Sequence, residues 1–194
     1  MLMSSIPGLH GRGAVLTAAL LLTLGAGCRK APPDTDLQQH QITERRERGL
    51  IVQEVDLTGD GRPDIFNYFR ERGDERHLVR KELDLNRNGK IDVISHFNDA
   101  GQLEKEEMDG DFDGNFDWVD YYQDGVRVMS EVDTNYDGVP NIWSYYEEGR
   151  IVRKERDTTG DGRIDYWERF DEDGRVITTG RDTTGDGKVD QRDD

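Results

Sequence analysis

Short runs of aromatic and β-branched residues recur along the chain, and a polar turn containing glycine follows each run. The runs are IFNYF at 65–69, VISHF at 93–97, WVDYY at 118–122, IWSYY at 142–146 and YWERF at 166–170. Residues of these types are enriched in β-strands because they fit a pleated, half-buried surface. Each run therefore predicts a strand.

A second strand-like run follows each turn, as in VRVMSEV at 126–132 and RIVRKER at 150–156. Two such runs joined by a glycine turn are typical of a β-hairpin. The pattern predicts an all-β fold of antiparallel hairpin repeats, as a meander or a solenoid-like sheet in which each repeat contacts its neighbours.

Stacking these hairpins in register predicts aligned columns of aromatic and aliphatic residues on opposite faces of the sheet. One predicted column contains Phe69, Phe97, Tyr122, Tyr146 and Phe170, and the other contains Phe66, Ile94, Val119, Trp143 and Trp167.

An acidic nine-residue segment lies between successive hairpins and occurs six times. The copies follow the pattern D-x-[DNT]-x-[DN]-G-x-x-[DN] and begin at Asp56, Asp84, Asp109, Asp133, Asp157 and Asp182. Glycine occupies position 6 in every copy, where a sharp turn needs a residue that tolerates positive φ. The regular recurrence indicates one loop structure used six times.

The oxygen-bearing side chains at positions 1, 3, 5 and 9 suit a calcium ion. Calcium takes about six to eight oxygen ligands, and a tight loop supplies them from alternate residues. Position 7 would contribute its backbone carbonyl, so its side chain is free to vary. The predicted metal ligands are Asp56, Thr58, Asp60, Arg62 and Asp64; Asp84, Asn86, Asn88, Lys90 and Asp92; Asp109, Asp111, Asp113, Asn115 and Asp117; Asp133, Asn135, Asp137, Val139 and Asn141; Asp157, Thr159, Asp161, Arg163 and Asp165; and Asp182, Thr184, Asp186, Lys188 and Asp190.

This segment resembles the first nine positions of the EF-hand calcium loop and, equally, the loops of thrombospondin type 3 and FG-GAP repeats. An EF-hand has a bidentate glutamate at position 12, which here corresponds to Asn67, Ser95, Asp120, Ser144, Glu168 and Asp193. The general lack of that glutamate predicts a Kd near the roughly 10⁻⁴ to 10⁻³ M of extracellular modules. The alternative interpretation is a set of turns whose Asp and Asn side chains hydrogen-bond their own backbone without metal.

A dockerin-like or EF-hand-like helical repeat is the alternative fold. It would place one helix in each repeat, between the acidic segments. The glycines and β-branched residues in those stretches are poor helix formers and favour the hairpin prediction.

The N-terminal residues have a different composition from the repeats. An uncharged run at 13–27 follows His10 and Arg12, is shorter than the about 20 residues of a membrane-spanning helix, and predicts a signal peptide at 1–27. The sequence LGAGC resembles the bacterial lipobox, although Gly25 stands where leucine is usual, and this resemblance implies lipidation of Cys28. An ordinary cleaved signal is the alternative.

Two further segments complete the predicted organisation. Residues 28–49, which include Pro32 and Pro33, are expected to be the lipidated cysteine and a polar tether, and residues 50–194 the calcium-loop β-repeat domain. Arg29, directly after Cys28, resembles the pattern that directs such lipoproteins to the outer membrane.

The charge of the chain limits its partners. Its 42 acidic and 26 basic residues give a formal net charge of −16. This charge argues against nucleic acid and against adhesion to anionic lipid by charge, and it favours a multivalent cation. The chain contains no serine or cysteine in a nucleophile motif and no glycine-rich phosphate loop, so we do not expect an enzyme.

These observations predict an exported, lipid-anchored outer-membrane protein whose calcium-stabilised repeats serve as a structural or partner-binding module. Small calcium-repeat lipoproteins of similar appearance occur in Gram-negative envelope assemblies, including adhesion and gliding machinery, which implies envelope protein partners. One alternative is a calcium sensor or buffer. Another is a glycan-binding surface protein that uses Tyr68, Tyr121 and Tyr145, which share a predicted column.

Overall fold

The computed structural model describes residues 41–193, which form a single antiparallel β-sheet of thirteen strands in chain order. The strands are β1 (Gln41–Glu47), β2 (Leu50–Asp56), β3 (Ile65–Arg72), β4 (Glu75–Leu83), β5 (Val93–Phe97), β6 (Leu103–Met108), β7 (Trp118–Gln123), β8 (Val126–Val132), β9 (Ile142–Glu147), β10 (Arg150–Arg156), β11 (Tyr166–Phe170), β12 (Val176–Arg181) and β13 (Gln191–Asp193).

Each strand pairs with the strands that precede and follow it in sequence, so the sheet is a meander of hairpins. The predicted all-β hairpin fold is therefore confirmed, and the helical alternative is wrong. Among residues 41–193 there is no helix long and apolar enough to cross a membrane.

The two ends of the sheet carry different connections. Glycine turns such as Asp124–Gly125 and Glu148–Gly149 close the hairpins at one end. The six nine-residue segments connect successive hairpins at the other end. The acidic residues are consequently concentrated along one end of the sheet.

The register places the two predicted columns on opposite faces. On the first face, which we call the glutamate face, Phe66, Ile94, Val119, Trp143 and Trp167 alternate with Glu82, Glu107, Glu131 and Glu155. The second face, which we call the serine face, carries the Phe69 column and a middle row of polar residues that includes Ser95, Asp120, Ser130 and Ser144.

The sheet has little apolar core, because it has one layer. Among the described residues, the buried apolar side chains are Ile51, Val52, Tyr68 and Val93. The polar row of the serine face is buried as well: Ser130 donates a short hydrogen bond to Asp120, whose Oδ1 also accepts the indole N–H of Trp118 at 2.8 Å. With so few buried apolar side chains, a central core contributes little hydrophobic stabilisation to this sheet.

Strand β1 lies within the segment that the sequence assigned to the tether, so the sheet begins before residue 50. Its residues lack an apolar pattern, and charged contacts hold it instead. Arg45 Nε lies 2.6 Å from Glu54, and Arg46 Nη1 lies 2.8 Å from Glu71. The predicted signal peptide, Cys28 and the residues up to 40 lie outside the described part of the chain.

Candidate metal centres

The acidic loops lie side by side because main-chain hydrogen bonds connect each loop to the next. The N–H of Asp84, the first residue of its loop, donates to the carbonyl of Asp64, the last residue of the preceding loop, at 2.9 Å. The N–H of Asp109 donates to Asp92 in the same way at 2.8 Å. This pattern continues to Asp182, so the six loops form one row.

The position-1 aspartate is the centre of each loop. Asp56 Oδ1 accepts the N–H groups of Thr58 and Gly59 at 3.0 and 2.6 Å, and its Oδ2 accepts the N–H of Gly61 at 2.8 Å. Burial raises the pKa of Asp56, but these donors outweigh it and the pKa is lowered. The same balance lowers the pKa of Asp157 and Asp182. These carboxylates are therefore charged and fixed in orientation.

Position 9 closes the loop from its other end. Asp64 Oδ2 accepts the N–H of Leu57 at 2.8 Å, and Asp117 Oδ2 accepts the N–H of Gly110 at 2.8 Å. In the last loop, the N–H of Thr183 is the main cause of a lowered pKa at Asp190, against a smaller effect of burial. A carboxylate has about four lone-pair positions, so these bonds leave oxygen lone pairs for a cation.

Positions 3 and 5 are more open to solvent. Asp60, Asp113, Asp137, Asp161 and Asp186 at position 5 are all exposed. Several of them accept the N–H of position 7, as Asp60 does from Arg62 at 2.8 Å. Within the described residues, the carbonyl oxygens at position 7 accept no hydrogen bond, which leaves them available as ligands.

Two loops gather three carboxylates closely enough to hold one metal ion. Oxygens of Asp109, Asp111 and Asp117 lie within 4.8 Å of one another, and so do oxygens of Asp182, Asp186 and Asp190. In the first group the pKa of Asp111 is raised, by burial and then by the negative charges of Asp113, Asp117 and Asp109. A cation would remove that repulsion.

The other four loops do not form such a group among the described residues. Loops 84–92 and 133–141 have asparagine at two of the four side-chain positions. Loops 56–64 and 157–165 each have three aspartates, but these do not converge to within the same distance.

The residues at EF-hand position 12 contact the sheet and not the loops. Asn67 donates to Gln53 at 3.1 Å, Ser95 donates to Glu106 at 2.8 Å, and Glu168 pairs with Arg156 at 3.0 Å. Each lies in the polar row of the serine face, three residues beyond its loop. The twelfth ligand of an EF-hand therefore has no counterpart in these loops.

Sequence reasoning missed a conformational requirement at position 4. This residue has positive φ in all six loops: glycine fills it at Gly59, Gly160 and Gly185, and Arg87, Phe112 and Tyr136 fill it in the others, with φ of 63°, 67° and 59°. The glycines at position 4 of three loops were the feature of the sequence from which this requirement could have been predicted.

Sequence reasoning also missed direct contacts between neighbouring loops. Lys90 Nζ donates to the carbonyl of Asp113 at 2.9 Å, and Arg163 Nη1 donates to the carbonyl of Gly185 at 3.1 Å. Both donors are position-7 side chains. They connect loop 84–92 to loop 109–117 and loop 157–165 to loop 182–190.

The tyrosine column considered for sugar stacking is engaged within the sheet. The hydroxyls of Tyr68, Tyr121 and Tyr145 donate to Glu82, Glu131 and Glu155 at 2.6, 3.0 and 3.1 Å. Guanidinium groups cover two of the rings, at 3.9 Å from the Tyr68 centroid and 3.8 Å from the Tyr145 centroid. These rings pack against their neighbours.

Comparisons with known proteins assign no family. No family model matches the chain, and no curated protein matches it. Among solved structures, the chain is similar to one described as accessory secretory protein 1, 2 and 3 in Streptococcus pneumoniae, with 15% sequence identity and a TM-score of 0.35. That alignment covers 64% of this chain and only 20% of the other, so this chain spans about a fifth of its length.

Proposed function

We propose that the protein is a calcium-stabilised β-repeat module of the bacterial envelope, held to the outer membrane by a lipid on Cys28, that serves as a structural or partner-binding element. The observation that carries the proposal is the row of six loops with one pattern of carboxylate hydrogen bonds, two of which gather three carboxylates each. Calcium is the proposed ion because it accepts flexible cages of oxygen ligands.

The thin core gives the ions a structural role. A single-layer sheet with four buried apolar side chains among its described residues has little hydrophobic stabilisation. Six divalent ions would also offset most of the formal charge of −16. In this proposal calcium joins each hairpin to the next, and the rigid sheet presents its faces to envelope partners.

Equilibrium dialysis of the full chain against calcium, followed by metal analysis, tests the binding. We expect about six ions per chain in millimolar calcium, with Asp133→Asn reducing the number by about one. Asp124→Asn is the matched control, because Asp124 lies in an exposed turn at the opposite end of the sheet. Absence of bound calcium, or equal losses in both variants, would contradict the proposal.

Cell fractionation tests the anchor. Replacing Cys28 with serine removes the only thiol of the chain, so lipid labelling should disappear and the protein should leave the membrane fraction. Retention of the Cys28→Ser variant in that fraction would exclude the lipid anchor while leaving the calcium proposal intact.

A pull-down from envelope extracts, with and without a calcium chelator, tests the module role. We expect partners that are retained in calcium and released by the chelator. A protein that retains its calcium at micromolar free concentrations, with no partner retained, would instead fit a sensor or buffer, whose sites bind in that range or more tightly.

A further inference from the structure

The last repeat departs from the pattern of the glutamate face at three positions. The row nearest the loops alternates glutamate with an apolar residue as far as Glu155 and Trp167, but then continues with Gly180 and Arg192. In the next row, Arg169 stands where earlier repeats have Tyr68, His96, Tyr121 and Tyr145. Gly180 replaces a glutamate, and Arg169 and Arg192 replace uncharged residues of the pattern. All three changes make this part of the face more positive.

A cavity of about 360 Å³ lies at these departures. Trp167 and Val189 line it, the side chain of Val189 covers Gly180, and Arg153, Arg169 and Arg192 lie around it. A Cβ at position 180 would lie 3.0 Å from Cγ1 of Val189, which is a tight contact. The glutamate of the repeat pattern therefore cannot occupy this place unless Val189 moves.

The arginines at the cavity are not all paired with the acidic residues beside it. Glu155 forms an ion pair with Arg153 and accepts a hydrogen bond from the hydroxyl of Tyr145, and Glu168 pairs with Arg156. Within residues 41–193, the guanidinium groups of Arg169 and Arg192 have no ion-pair or hydrogen-bond partner. Both side chains are exposed, so their guanidinium groups are accessible to an anionic ligand.

The indole N–H of Trp167 is also available to donate a hydrogen bond to a ligand. Unlike Trp118, whose N–H donates to Asp120, Trp167 donates to no described side chain. Trp143, at the same place in the preceding repeat, is flanked by Glu131 and Glu155, whereas Trp167 has Glu155 on one side and Gly180 on the other. Trp167 therefore has no glutamate beside it on the Gly180 side, where it lines the cavity together with Val189.

We propose that this cavity binds an acidic sugar, with its carboxylate or phosphate held by Arg169 and Arg192 and its ring against Trp167. Guanidinium groups bind planar carboxylates and phosphates through paired N–H donors. An indole presents a broad apolar surface with a polar N–H at its edge, and Thr178 lines the same cavity. The calcium proposal is not required for this inference.

Calorimetric titration of the full chain in millimolar calcium and low salt tests the inference with four sugars. D-galacturonate is compared with D-galactose, and D-glucose 6-phosphate with D-glucose. We expect an acidic sugar to bind and its neutral parent to bind at least about tenfold more weakly, because the charged hydrogen bonds are lost. Binding of galacturonate alone identifies a carboxylate ligand, and binding of glucose 6-phosphate alone identifies a phosphate ester.

Variants locate the site. Arg169→Tyr restores the residue type of the earlier repeats and should keep the fold, and Arg192→Gln changes an exposed residue of the short last strand. Each should weaken binding at least about tenfold with an unchanged melting temperature. Arg48→Gln is the control, because Arg48 is an exposed arginine in the first hairpin turn, far along the sheet from β13.

Tryptophan fluorescence shows which tryptophan lies at the binding site. Ligand-induced quenching should disappear in Trp167→Phe and persist in Trp143→Phe. The proposal is overturned if neither acidic sugar binds, if the neutral sugars bind equally well, or if Arg48→Gln weakens binding as much as Arg192→Gln.

Discussion

Among the loop aspartates whose pKa shifts are resolved, Asp111 is the one whose pKa is raised, while hydrogen-bonded Asp56, Asp157, Asp182 and Asp190 have lowered values. A raised pKa means that the folded state disfavours the charged form, so this charge destabilises the metal-free protein at neutral pH. A bound cation would reverse the effect, because it stabilises the charged form.

Asp111→Asn should therefore have opposite effects in the two states. In chelator, removal of the repelling charge should raise the fraction of folded protein and any melting temperature that it shows. In calcium, loss of a ligand should reduce the stabilisation that the ion provides. Thermal unfolding in both conditions measures this, with Asp124→Asn as the control; a change of the same sign in both conditions would contradict the cluster as a metal site.

Position 4 gives a second residue-scale prediction. Tyr136 has φ of 59° in a place that Gly160 fills in the next loop, and a left-handed conformation costs an L-residue about 1–2 kcal/mol. Tyr136→Gly should raise the free energy of unfolding by up to about 1 kcal/mol, since glycine entropy offsets about 0.5–1 kcal/mol of the relief.

Urea unfolding of two paired variants tests this conformational argument. Val139→Gly is matched to Tyr136→Gly, because both side chains are 56% exposed but Val139 does not have positive φ; it should not stabilise. Gly160→Ala should destabilise by about 1 kcal/mol. A destabilised Tyr136→Gly variant would show that the aromatic side chain contributes more than the backbone strain costs.

At the scale of elements, the six loops share one backbone but differ in ligand charge. Loop 109–117 has four aspartates, three of them grouped, whereas loop 84–92 has Asp84 and Asp92 beside two asparagines. Calcium affinity depends on the number of charged ligands. The loops should consequently fill in an order set by their side chains.

Calcium titration followed by NMR checks that order. The amide signals of Gly89 and Gly114, the position-6 residues of these two loops, report each site separately. Gly114 should respond at lower calcium than Gly89. If both signals respond together at every ratio of calcium to protein, contacts such as the one from Lys90 to Asp113 couple the two loops and override their difference in charge.

Strand β1 is polar, and ion pairs help to attach it to the rest of the sheet. Its contacts with β2, β3 and β4 include exposed ion pairs, and each such pair contributes about 0.2–1 kcal/mol and is weakened by salt. Hydrogen exchange in calcium should show faster exchange for amides of β1 when sodium chloride is raised, with little change in central strand β7. Equal changes in both strands would indicate that salt acts on the loops.

For the whole molecule, the sequence predicted the strands because the aromatic and β-branched runs alternate with glycine turns. It also predicted which residues lie on which face of the sheet. Phe66 and Phe69 are three positions apart in one strand, and side chains alternate between the two faces, so these two residues lie on opposite faces. Strand β1 was missed because its partners, such as Glu54 and Glu71, are recognisable only once the register is known.

The candidate sites were predicted in part. The regular pattern revealed the six loops, but not that Asp109, Asp111 and Asp117 converge while the aspartates of loop 56–64 do not. That difference depends on side-chain orientation. The cavity beside Trp167 depends on the pairing of Gly180 with β11 and β13, which no local pattern specifies.

Calcium is proposed to stabilise the folded sheet as a whole. If each site has a Kd of roughly 10⁻⁴ M and free calcium is about 10⁻³ M, binding contributes about 1.4 kcal/mol per site. Six independent sites would contribute roughly 8 kcal/mol, which is comparable to the about 5–15 kcal/mol that stabilises a typical domain.

Thermal unfolding of the full chain in calcium, in magnesium and in chelator measures this stabilisation. We predict the highest melting temperature in calcium and a loosened or largely unfolded protein in chelator. Magnesium should substitute poorly, because it requires a small, near-octahedral site and loses its water reluctantly. The same melting temperature in all three conditions would contradict the account, since the loops would then be turns that fold without a metal ion.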